Sequence, residues 1–375
     1  MNQLYSFHGG LKLSPNKTLN PAIDAVDIPA QLVVPLLQHQ GQPARPIVDI
    51  GDKVLTGQLI ARVNDFSDNL TPTLPVHAPS SGRISGIESC PIPHVDELHR
   101  DCIIIEPDGQ DRWTNLNPLG ENYIEATPDQ LQQIIAEAGI AGLGGAGFPA
   151  YVKLRTGQIN TLIINGAECE PYISCDLQLM FSRAQQVLEG AVILAQATGS
   201  ATACLIALED NQPEVFEIMQ AALETLDGQV FSGSTLDKNA LQLVQVPAIY
   251  PIGGERQLIR VLTGLEIPHK FVPVEQGILV HNIGTAVATY NAVAKGEPLI
   301  SRVVTVTGDA VRTPKNLEVR FGTPIQALLA ACECPEGSVK QLITGGPMMG
   351  YPLSNATLPI TKTNNCILAL ANKKT

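Results

Sequence analysis

Four glycines within six residues, Gly142, Gly144, Gly145 and Gly147, open the stretch GLGGAGFPAYVKL (142–154), which continues with Phe148, Pro149 and Lys153. A glycine has no Cβ, so a flat ring or an anion can press against the main chain and reach its N–H groups. The spacing fits G-x-G-x-x-G, a dinucleotide fingerprint that must leave a strand and open a long helix. Here a helical pattern precedes the loop and Phe148-Pro149 follows it, so the context is wrong on one side. Two other readings stand: a turn between helices, and a cradle of amides. Four glycines exceed what a turn needs, because each raises the entropy lost on folding. Lys153 follows at a spacing suited to a phosphate or a ring carbonyl. Glu168 and Glu170, in INGAECEPYI, lie about 20 residues further on, as a ribose-binding acid would. Acids there also suit the start of a following helix.

Such a site needs a scaffold, and composition sets its class. The 375 residues suggest two or three domains with aliphatic cores, since hydrophobic residues reach 44% and aromatic ones only 4%. The net charge of −12 argues against nonspecific nucleic-acid binding. It leaves room for a small anion held by local amides. The first residues lack the apolar core of a signal peptide, and no window reaches the roughly 20 apolar residues of a bilayer span. The eight cysteines contain no C-x-x-C, so free thiols and no metal site are expected.

Three regions follow. Residues 1–120 hold short β segments between turns, such as LVVPLLQH, PIVDIGDKVLTGQLIARV, VHAPSSGRISGI and CIIIEPDG. Residues 121–300 alternate helix and strand patterns around a mostly parallel sheet. They open with the helix TPDQLQQIIAEAG, where Thr127 is the N-cap, Pro128 the first helical residue and Gln130 the capping-box partner. The stretch LQLMFSRAQQVLEGAVILAQATG reads as one helix. Residues 301–347 read ββαβ, a small β-grasp domain of the soluble-ligand-binding type. Residues 348–375 read as a tail without a clear cap.

The run GDKVLTGQLIA … VHAPSSGRISGI resembles the biotinyl/lipoyl carrier domains, flattened β-sandwiches whose hairpin lysine carries the cofactor. Residues 62–76 contain no lysine, so a structural barrel-sandwich module is expected. The stretches GLGGAGFPAYVKL and INGAECEPYISCD resemble the flavin core of the NADH-oxidising subunit of respiratory complex I, with G-R-G-G-A-G-F-P-T-G-L-K and N-A-D-E-G-E-P-G. YPIGGERQL (250–258) and VHNIGTA (280–286) are similar to that family's Y-I-C-G-E-E-T-A-L and N-N-V-E-T-L. Leu143, Ala167, Ala150 and Tyr151 depart from the pattern, and Tyr151 is expected to narrow the cleft.

A resemblance over nearly the whole chain is to the RnfC family of the Rnf electron-transport complex. It rests on FHGGLKLSPNK, VVPLLQHQG, VHAPSSG, LIINGAECEPYI and RVVTVTGDAV, and on the domain order. Cobalamin reductases are similar too, but in them the sandwich follows the flavin core. The Rnf resemblance implies an FMN-binding, NADH-oxidising peripheral subunit on the cytoplasmic face of the bacterial inner membrane. Its partners would be other membrane-complex subunits and a ferredoxin-like iron–sulfur subunit. Gly142, Gly144, Gly145 and Gly147 would form the cradle. Lys153, Asn165, Glu168, Gly253, Gly254, Asn282 and Thr285 would complete the flavin pocket. Phe148, Glu170 and Glu255 would face NADH. The family's two [4Fe–4S] motifs do not occur up to Thr375, so the clusters are expected only in a region this sequence does not contain, unless the chain is a clusterless paralogue. A docking subunit without flavin is the alternative from another class.

Overall fold

A computed structural model describes residues 4–63, 66, 72–96 and 98–371. The part of the carrier-type hairpin at 64, 65 and 67–71 lies outside the described residues, as do 372–375.

The N-terminal region contributes β1 (Asp24–Ala25), β2 (Leu32–Pro35), β3 (Arg45–Pro46), β4 (Lys53–Val54), β5 (Leu59–Arg62), β6 (Val76–His77), β7 (Gly82–Pro91) and β8 (His99–Pro107). Two sheets, β2-β8-β7-β4 and β3-β5-β6, pack face to face. Their shared core is Leu32, Val34, Ile60, Ile84, Ile103 and Ile105. Alternate residues of β8 therefore point into the sandwich, and the others point away from it.

The central region contributes α1 (Pro128–Glu137), α2 (Ala150–Leu154), β9 (Thr161–Gly166), α3 (Cys175–Ser182), α4 (Ala184–Thr198), β10 (Ala203–Glu209), α5 (Pro213–Thr225), β11 (Leu241–Val246), α6 (Glu255–Thr263), β12 (Ile278–Asn282) and α7 (Ile283–Ala294). Its four strands, in the order β11-β10-β9-β12, are all parallel, where the sequence suggested only mostly parallel. The capping box of α1 forms as expected: Gln130 N donates to Thr127 Oγ1 and Thr127 N donates to Gln130 Oε1. The single helix expected over 177–199 is broken. Arg183 leaves helical geometry at φ −136°, and its guanidinium pairs with Glu318 of the next domain. A contact distant in sequence thus overrides continuous helical periodicity.

The C-terminal region contributes β13 (Ser301–Thr307), β14 (Lys315–Arg320), α8 (Ile325–Ala331), β15 (Val339–Thr344), β16 (Tyr351–Leu353) and β17 (Cys366–Ala371). The ββαβ order appears as read from the sequence. The sheet, however, runs β1-β14-β13-β17-β15-β16. The stretch read as a tail supplies β17, which lies between β13 and β15, and Ile367, Leu368 and Ala369 are buried there. β1, expected within the sandwich domain, pairs with β14 instead. The segment before it runs along the central domain, through Leu11–Tyr250 and Tyr172 N to Pro15 O, so residues 11–25 tie the central and C-terminal domains together.

Candidate active site

Residues 142–148 form a loop closed at its base by the Ala141–Pro149 bridge and by Gly142 N donating to Phe148 O at 2.8 Å. Gly145 (φ +104°) and Gly147 (φ +65°) need backbone angles that L side chains rarely adopt. The loop is fixed from three sides. From behind, Leu143 N donates to the fully buried Thr285 Oγ1 at 3.0 Å. From the C-terminal domain, the buried Arg302 guanidinium donates to Leu143 O at 3.0 Å and also to Lys362 O. From the sandwich domain, Gln40 donates through N to Gly147 O (2.9 Å) and through Nε2 to Ala146 O (2.8 Å). Among the described residues, the N–H groups of Gly144, Gly145, Ala146, Gly147 and Phe148 have no acceptor. Five consecutive N–H groups of an anchored loop are thus left for an acceptor outside the chain, and rows of free amides of this kind can meet an anion or a carbonyl.

That tip opens on a cleft of about 1030 Å³ with walls from all three domains. This is the upper end of the range for small-molecule sites, with room for two ring systems. Twelve of the fourteen residues singled out from the sequence line it: Gly142, Gly144, Gly145, Phe148, Lys153, Asn165, Glu168, Glu170, Gly253, Gly254, Glu255 and Asn282. Gly147 and Thr285 do not. Gly147 packs inward, where an added Cβ would meet Thr363 Cγ2 at 2.8 Å, and Thr285 acts from behind through Leu143. Ala150 and Tyr151 are buried away from the cleft, and Tyr151 packs edge-on against Phe66 at 5.4 Å. The expectation that Tyr151 narrows the cleft is therefore corrected. α2 turns its side chain inward, into the core. Leu143 is likewise buried behind the loop.

The charged groups are largely engaged. Lys153 Nζ donates to Glu255 Oε1 at 2.9 Å and to Val280 O at 3.2 Å, which uses two of its three protons. The Glu168 carboxylate accepts from Asp176 N and Leu177 N at 3.1 and 3.3 Å, capping the start of α3, and Lys17 Nζ lies 3.8 Å from it. Glu170 accepts from Met348 N at 3.1 Å and Met349 N at 2.7 Å, so it holds the loop GGPMMG (345–350) of the C-terminal domain. Burial pushes its carboxyl above the usual range. Asn165 Nδ2 donates to Gly253 O at 2.8 Å, and a Cβ on Gly253 would overlap the Ala167 carbonyl. Asn282 caps α7 through Gly284 N at 2.8 Å and donates to Asp176. Burial and nearby Glu168 raise the Asp176 carboxyl. Donor atoms of Glu168, Cys175 and Asp176 lie within 4.8 Å of one another, but the two carboxylates are committed to these hydrogen bonds.

Several wall residues escaped sequence reasoning. His281 is buried and held neutral, its pKa lowered to about 3 by desolvation, and its Nε2 has no partner among the described residues. Cys169 Sγ accepts from Gly253 N at 3.3 Å, and burial pushes the thiol up to about 11. The walls formed by residues 37–40, by 92–94 and Arg100, and by residues between 344 and 365 come from other domains, and no site residue was assigned there from the sequence.

Comparison with known proteins follows this division. A family model described as the Nuo51 FMN-binding domain matches residues 135–291, an RnfC barrel sandwich hybrid domain matches 5–110, and an SLBB domain matches 303–352. The C-subunit of the ion-translocating oxidoreductase complex of Pseudomonas aeruginosa is 43% identical over 98% of this chain and 46% of its own length. The protein of that name from Rhodobacter capsulatus is 40% identical over 100% of this chain and 69% of its own length. The chain thus spans about half the length of many relatives it matches, including the Pseudomonas protein. Among solved structures, an NAD+-reducing [NiFe]-hydrogenase in the H2-reduced state superposes with a TM-score of 0.58, at 24% identity over 68% of this chain and 49% of that one. That likeness is one of fold. Among the described residues, no helix is long and apolar enough to cross a membrane.

Proposed function

Since the chain belongs to the RnfC family of ion-translocating oxidoreductase complexes, we propose that it is an FMN-binding, NADH-oxidising peripheral subunit of such a membrane complex. The observation that carries this reading is the set of free amides of Gly144, Gly145, Ala146 and Phe148, residues that line the cleft with Lys153. These donors, with the remaining proton of Lys153, suit the phosphate or carbonyl oxygens of FMN. Asn165, Gly253 and Gly254 shape the floor, where Gly253 lets the backbone pack closely on the Ala167 carbonyl. When bound, FMN supplies a carrier that takes two electrons together and returns them singly.

The protein's own work is positioning. Phe148 forms an apolar wall for the nicotinamide. Glu255 orients Lys153. Asn282 and Thr285 hold the strand–helix turn and the loop in register. The carboxylates Glu168, Glu170 and Glu255 make the cleft unfavourable for an added 2′-phosphate, so NADH is preferred to NADPH. In the assembled complex, iron–sulfur clusters outside this chain would supply single-electron acceptors, leading on to a ferredoxin-like subunit and to membrane subunits that move ions, at the cytoplasmic face of the membrane. Titration of the chain with FMN, read by quenching of flavin fluorescence and by calorimetry, tests the reading. Saturable binding at one site is expected, and its absence refutes it.

A further inference from the structure

The cleft is lined by four carboxylates, Glu168, Glu170, Asp176 and Glu255, and by two strong cations, Lys153 and Arg100. Lys153 is already paired with Glu255. The Arg100 guanidinium makes no hydrogen bond or ion pair among the described residues. It stands on β8 of the sandwich domain, and strand alternation decides where it points. Ile103 and Ile105 fill the sandwich core, so Arg100 shares the opposite face with Cys102 and Ile104. That face looks away from the sandwich core, and at its end the exposed Arg100 lines the cleft. The β7–β8 hairpin is fixed against the far wall, because Tyr351 Oη donates to Pro93 O at 3.2 Å. His94, the other basic group of this hairpin in the cleft, is occupied by Asp96 N at 3.0 Å.

We propose that Arg100 is the phosphate-binding cation for the pyrophosphate of the nicotinamide dinucleotide, which makes the sandwich domain part of the substrate site. The proposal rests on the NADH-oxidising reading above. A dinucleotide brings two negative charges into a cleft whose carboxylates outnumber its cations, in a chain of net charge −12. The glycine-loop amides and Lys153 serve the flavin, which leaves Arg100 as the uncommitted donor fork in the cleft wall for the pyrophosphate. Guanidinium donors match phosphate oxygens in pairs.

NAD+ is titrated calorimetrically into wild type, Arg100→Gln and Arg100→Lys, with and without FMN, at low and high ionic strength. Arg100→Gln is expected to weaken NAD+ binding about tenfold at low salt, with the loss shrinking at about 0.5 M salt and Arg100→Lys recovering most of it. FMN and riboflavin affinities stay at wild-type values in both variants. Equal NAD+ affinity in Arg100→Gln and wild type overturns the assignment. A loss for FMN but not for riboflavin overturns it too, since the anion served would then be the flavin phosphate. Wild type that binds NAD+ but not FMN refutes the flavin reading alone, because the comparison without FMN still reports on Arg100.

Discussion

Glu170 is the most discriminating side chain to perturb. Its two oxygens accept from Met349 N at 2.7 Å and Met348 N at 3.1 Å, and these bonds tie the GGPMMG loop to the central domain. A hydrogen bond to a charged group contributes about 1.5–3 kcal/mol when buried, and about 1 kcal/mol is a fair figure at this half-exposed site. Glu170→Ala removes both, about 2 kcal/mol, or roughly a 30-fold increase in the open population of the loop. Glu170→Gln keeps one acceptor oxygen and is expected to raise opening about fivefold, at about 1 kcal/mol. Amide hydrogen exchange read peptide by peptide over 345–351 measures this directly, alongside titration with NAD+. The clamp reasoning predicts faster exchange there in the order wild type, Gln, Ala, with dinucleotide affinity falling in the same order. If exchange over 345–351 is unchanged in Glu170→Ala, the clamp is wrong. A loss of NAD+ affinity without altered exchange would instead mean that Glu170 meets the dinucleotide itself.

Two further predictions follow from buried groups behind the cleft. Lys362 is fully buried, donates to Gly139 O at 2.7 Å and has its pKa lowered by desolvation to about 7 from 10.5. The unfolded chain therefore holds more protons between these values, and stability rises with pH above 7, by up to about 1.4 kcal/mol per unit; urea midpoints at pH 7, 8 and 9 should show this gain in wild type and lose it in Lys362→Met, and parallel curves would refute it. Thr285→Val keeps the volume but strands the Leu143 N–H, so a loss of about 1–3 kcal/mol in stability and a several-fold weaker FMN affinity are expected from thermal melts and flavin titration; unchanged values would show that the loop does not depend on this acceptor.

The sequence by itself determined the alternating elements, the α1 capping box, the ββαβ order and the part of the cleft wall that the central domain's motifs supply. These are local signals. A capping box spans four residues, and a glycine loop states its own need for an unhindered backbone. The roles of those residues were not legible in the same way. Glu168 and Glu170 sit two positions apart in one motif, yet one caps a helix and the other grips a loop about 180 residues away. Nothing in INGAECEPYI distinguishes them, because a carboxylate's role depends on which N–H groups the fold delivers to it. Tyr151 likewise looked like an obstruction until helix α2 turned it into the core. Only the tertiary structure brought Gln40 and the GGPMMG loop onto one cleft, set Arg302 behind its glycine loop and placed β17 inside the C-terminal sheet. Contacts of that range leave no periodicity in the chain, because they are fixed by how three domains pack.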